Sequence, residues 1–111
     1  VTCYSRLIAA VAFLGALPAS AGPISKFDDN TPAAAFTTAR GLADVERCLI
    51  DMDGWPLPVT YRQPDRPDRV TIMWSVSDKA LGRVDLAATP SGTAVTAWIK
   101  GKQFERCAPR G

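Results

Sequence analysis

Cys48 and Cys107 carry the most direct covalent chemistry in this chain, and what they do with it depends on the compartment. In a reducing compartment they are two separate thiols. In an oxidising one they are partners for a cross-link that would close a loop of about sixty residues, worth roughly 4 kcal/mol in the chain-entropy picture. A third cysteine, Cys3, precedes an apolar run rather than following it, so it is not placed as a lipid-attachment site.

Three other clusters have residue types capable of chemistry. Asp51-Met-Asp-Gly54 offers carboxylates at alternate positions, as the start of a calcium loop does. Trp55-Pro-Leu-Pro58 follows, however, and supplies no further oxygen ligands, so a capped helix end is the better reading. Asp28-Asp29-Asn30 before Thr31-Pro32 reads as turn chemistry on the same grounds. Ser75-Val-Ser-Asp-Lys79 brings hydroxyls, a carboxylate and an amine together. A Ser-Lys dyad needs a desolvated lysine, which a polar loop after a strand does not provide.

The absent residue types narrow the field further. The chain has 0 histidines. Histidine is the usual general base near neutral pH and the commonest nitrogen ligand for metals. Ser-His-Asp and Cys-His catalysis and His-based metal sites are therefore excluded, and a carboxylate-dependent hydrolase is the remaining enzymatic alternative. No cofactor or metal is expected. Net charge is +2, and without Arg6 it rests on 12 basic against 11 acidic residues. Acids and bases interleave, as in Arg62-Gln-Pro-Asp-Arg-Pro-Asp-Arg69, so no basic stripe for nucleic acid forms.

The compartment is set by the N-terminal segment. One cation, Arg6, precedes the apolar run from Leu7 to Leu17, and Pro18-Ala-Ser-Ala21 ends it in a small-x-small pattern. Residues 1–21 are expected to be a signal peptide cleaved after Ala21, because the run is too short for the ~20 residues that span a bilayer. The mature protein is then periplasmic or secreted, with no membrane span, and Cys48 and Cys107 are expected to form its disulfide.

These groups need elements to hold them. Gly22 to Phe36 reads as an extended arm with a turn at residues 28–32, and residues 37–111 as one small α+β domain. One main amphipathic helix starts near Thr37 or Thr38, with Leu42, Val45, Cys48, Leu49 and Met52 as its buried stripe and Gly54 as its cap. Arg47 and Asp51 are spaced as an i,i+4 pair. Four short strands follow, over residues 59–62, 69–76, 82–88 and 93–99, with Thr89-Pro-Ser-Gly92 as a tight turn and a short helical turn between 100 and 107. The expected fold is the helix packed on a small antiparallel sheet of about four strands, with Cys48–Cys107 stapling the tail to the helix.

Strand alternation then gives the second face of the sheet. If Val70, Ile72, Trp74, Val84, Leu86, Val95 and Ile99 look inward, Met73 and Trp98 look outward, near Arg83 and Lys100. Either a terminal segment covers this patch, or it is a partner or self-association surface, or a bulge turns Trp98 inward. The sequence thus describes an exported, non-enzymatic binding or accessory protein acting through Met73, Trp98, Arg83 and Lys100. A carrier holding a small apolar ligand between helix and sheet is the alternative.

Overall fold

A computed structural model of the chain describes residues 25–110. The expected leader, with Cys3 in it, lies outside the described residues. After a 3-10 turn at Ser25–Phe27 come β1 (Ala34–Thr38), α1 (Leu42–Ile50), β2 (Val59–Tyr61), β3 (Arg69–Val76), β4 (Lys79–Thr89), β5 (Gly92–Ala97) and α2 (Lys102–Cys107). The strands form one antiparallel sheet in the order β1-β5-β4-β3-β2. Because β1 and β2 are opposite edges and α1 connects them, the helix is carried across the inner face of the sheet.

The α+β core follows the two periodicities of the sequence. Val70, Ile72 and Trp74 of β3, Val84 and Leu86 of β4, and Val95 and Ala97 of β5 meet Val45 and Leu49 of α1, with Met52 just beyond it. Burying each large aliphatic side chain contributes about 1.5–3 kcal/mol, so this layer dominates the stability. Trp55 lies edge-on to Trp74 with ring centroids 5.5 Å apart, plugging the end of the layer past the helix. Phe104 of α2 stands edge-on to Phe36 of β1 at 6.1 Å.

The Cys48–Cys107 disulfide ties α1 to α2. Two polar contacts brace the same junction. The Arg40 guanidinium donates to the Cys107 carbonyl at 2.9 Å. The Gln103 amide accepts from the Asp53 backbone N–H at 2.8 Å and donates to its carbonyl at 2.6 Å. The second carboxylate of Asp51-Met-Asp-Gly54 therefore belongs to a residue whose backbone is held by α2.

The described residues form five strands where about four are expected, and the extra one is β1. Residues 34–38, read as the end of the arm and the start of the helix, pair along their length with Thr93–Ala97. The Ala33–Ala35 run favours a helix locally, but Phe36 and Thr38 alternate onto the core, and pairing with β5 outweighs propensity. Thr38 is buried in the strand, and its hydroxyl accepts from Arg40 N–H instead of capping a helix. The helix begins at Leu42 behind Gly41, with no side-chain cap.

The helix also stops early. Asp51 is its C-terminal cap residue, donating its backbone N–H to the Cys48 carbonyl, and Gly54 takes its positive φ of 80° in the turn beyond. Arg47 meets Asp44 at 3.8 Å in place of the expected Asp51, an exposed contact of little energetic weight. The 75–79 cluster is a two-residue hairpin turn: Val76 opposes Lys79, and Ser77 has φ 54°.

Two glycines allow close approach. A Cβ on Gly92 would stand 2.0 Å from the Thr38 carbonyl oxygen, where β5 starts against the end of β1. A Cβ on Gly82 would meet Ile99 Cγ2 at 2.1 Å. Gly82 opposes Trp74 while Ala80 opposes Ser75, so Leu81 is the extra residue of a β-bulge.

Candidate functional site

The inner face of the sheet is filled. Val45, Leu49, Ile72, Trp74 and Val84 are inaccessible to solvent in the layer where an apolar ligand would have to lie. The Trp74 indole N–H makes no hydrogen bond among the described residues, and the Trp55 ring is the aromatic neighbour of Trp74. The outer face of the sheet, by contrast, carries polar and charged side chains open to solvent.

At the centre of that face is Arg83 on β4. Arg83 and Asp85 are two residues apart and point the same way, so the guanidinium forks onto the carboxylate: Nε to Oδ1 and Nη2 to Oδ2, both at 2.8 Å. Thr71, opposite Asp85 on β3, donates its hydroxyl to the same Oδ1 at 3.1 Å. The Arg83 guanidinium also lies over the Trp98 ring, 5.1 Å from its centroid. Its pKa is raised above the ordinary arginine value, chiefly by the hydrogen bonds with Asp85, with burial opposing. Its fork onto Asp85 holds that carboxylate in place on the face of the sheet.

The N-terminal arm lies on this cluster. Asp28 accepts from Arg83 Nη1 at 2.8 Å, the Asn30 carbonyl accepts from the Trp98 indole N–H at 3.0 Å, and the Phe27 ring sits 6.2 Å from that of Trp98. Asp28, read from sequence as turn chemistry, is thus also an ion-pair partner 55 positions away from Arg83. Its turn role persists in the contact from the Asn30 N–H to the Phe27 carbonyl.

These contacts show where Met73 and Trp98 stand. The alternation places both on the outer face, and the arm covers Trp98, which is half-buried. Met73 is only 3% exposed, between its register partners Val59 and Arg83. Lys100 is exposed in the segment between β5 and α2. The structure therefore joins Trp98 to Arg83 but does not assemble the four residues into an open patch.

An open concavity lies further along the same face. It is a groove of about 630 Å³. One wall is Tyr61, Arg62, Arg66 and Arg69, from the end of β2, the following loop and the start of β3. The floor is formed by Ala87, Ala94, Thr71 and Thr96, with Asp85 at the edge of the braced cluster. It is concave because small side chains on β4 and β5 lie below the long residues of the loop. Groove volumes of about 300–1,000 Å³ are typical of sites that hold ligand-sized groups.

Of the wall cations, Arg62 is tied to Glu46 of α1. Arg66 and Arg69 make no ion pair among the described residues. Beside the groove, Leu57, Val59 and Tyr61 are exposed apolar residues at alternate positions. Sequence reasoning missed this site, although its residues were partly visible as the interleaved arginines of 62–69 and the small outward residues of the last strand. No helix among the described residues is long and apolar enough to cross a membrane. No protein-family model, curated protein or solved structure matches this chain.

Proposed function

We propose that this chain is a small exported accessory protein, without a catalytic role, that holds a protein partner on the outer face of its sheet. The observation that carries the reading is the groove of about 630 Å³, walled by Tyr61, Arg66 and Arg69 and floored by Ala87 and Ala94. Its wall and floor use side chains the hydrophobic layer does not need, whereas Arg83, Asp85 and Trp98 on the same face are engaged with one another or with the arm. Export is supported by the Arg6-to-Ala21 leader pattern and by a disulfide suited to an oxidising compartment. The non-catalytic role is supported by the missing histidine and by a groove carboxylate already held by Arg83 and Thr71.

The experiment fills the groove without touching the core. Ala94→Trp adds a bulky side chain to the floor on the solvent face. The oxidised wild-type protein is expected to retain a partner from the native envelope fraction, and Ala94→Trp, with an unchanged thermal midpoint, to release it. Equal capture by both proteins would overturn the reading. Mass spectrometry of the exported product is expected to show a chain that starts at Gly22.

A further inference from the structure

We propose that the partner is engaged through an extended acidic segment that adds as a sixth strand beside β2 and places its carboxylates on Arg66 and Arg69. This rests on the reading of the outer face as a partner surface, and it specifies the chemistry of the partner.

The free edge is the first observation. Among the described residues, β2 ends the sheet, with β3 on one side and no strand on the other. Edge strands are normally kept short, charged or covered, because their unpaired backbone groups invite another chain, and β2 is short, at 3 residues. Here Leu57 is 79% exposed, Val59 51% and Tyr61 41%. They occur at i, i+2 and i+4, and the register puts Val59 and Tyr61 on the outer face with Met73 and Thr71. An open edge with an alternating apolar row is what strand addition uses: the backbone supplies affinity, and alternate side chains supply specificity. The opposite edge is unlike it. Ala34 and Ala35 of β1 are small, and the C-terminal tail lies close enough for Arg110 to cover the Phe36 ring at 4.7 Å.

Charge gives the polarity of the occupant. The row runs directly into the arginine wall, since Tyr61 belongs to both. Arg62 is neutralised by Glu46 and Asp85 by Arg83, which leaves Arg66 and Arg69 as the unpaired charges of the groove lining. Asp65 and Asp68 of the same loop are not part of that lining. A strand whose apolar residues cover Val59 and Tyr61 and whose next residues are Asp or Glu satisfies both features.

The test uses a capped seven-residue peptide alternating valine and threonine, with two glutamates at one end, made in both chain polarities. It is titrated into the isotope-labelled mature protein and followed by amide shifts. One polarity is expected to perturb residues 59–61 together with 66–71, and Arg66→Ala with Arg69→Ala is expected to weaken it about tenfold. Val59→Ser with Tyr61→Ser, both on exposed positions, is expected to weaken it with the thermal midpoint preserved. Equal binding of a peptide with lysines in place of the glutamates would overturn the proposal. So would an equal response to glutarate alone, which would mean a small-anion site. Failure of every peptide alongside Ala94→Trp-sensitive partner capture would sink the strand proposal and leave the outer-face function standing.

Discussion

The arm over Trp98 is the contact whose strength most affects how much of the outer face is open. Loosening it with Phe27→Ala and Asp28→Ala removes contacts whose size follows from the structure. The Asp28–Arg83 pair has a carboxylate side chain 58% exposed, so solvent screening keeps it below about 1 kcal/mol. The Phe27–Trp98 ring contact adds about 0.5–1.5 kcal/mol and the Trp98-to-Asn30 hydrogen bond about 1 kcal/mol. These three contacts together contribute about 1.5–3.5 kcal/mol. If the segment detaches while the sheet stays folded, the cost to global stability stays near that total. It is expected to lower unfolding free energy by about 1–2 kcal/mol in urea titration. In the folded protein, the Trp98 indole N–H resonance should shift and exchange with solvent faster. A loss well above about 3.5 kcal/mol would show the arm to be an integral part of the core. An unchanged indole resonance would show that Phe27 and Asp28 do not hold it.

Two further outcomes probe the framework. Reducing the Cys48–Cys107 bond, which joins positions 59 apart, is expected to cost about 4 kcal/mol, a large share of the stability of a small domain. Urea midpoints for oxidised and reduced protein that nearly coincide would contradict this. Gly92→Ala sets a Cβ against the Thr38 carbonyl at a φ of 150° and is expected to destabilise by about 2–3 kcal/mol in thermal unfolding, while the equivalent change at Ser91, on the exposed turn, costs under about 0.5 kcal/mol.

The parts of the fold legible in the sequence were those with their own periodicity. Val45 and Leu49 repeat at helical spacing, Val70 to Trp74 at strand spacing, and Thr89 to Gly92 carries its turn chemistry locally. β1 was illegible because the alanine run at 33–35 favours a helix and its strand character comes from a partner about sixty residues away. Beyond the end of α1, the Asp53 backbone is held by Gln103, a contact invisible to local pattern. For the site, alternation correctly put Trp98 beside Arg83, but it could not show that Asp28 would return to cover them. The groove depends on the 62–69 loop standing above Ala87 and Ala94, a tertiary relation with no short-range signature.

The central claim is that the partner sits on the outer face of the sheet rather than on the helical side. A photoactivatable diazirine side chain in place of Gln63, on the groove wall, tests it directly against the same group in place of Ala43, on the exposed face of α1. Illumination of the native envelope fraction is predicted to give a discrete adduct from position 63 and none from position 43. An adduct from position 43 with none from position 63 would contradict the account.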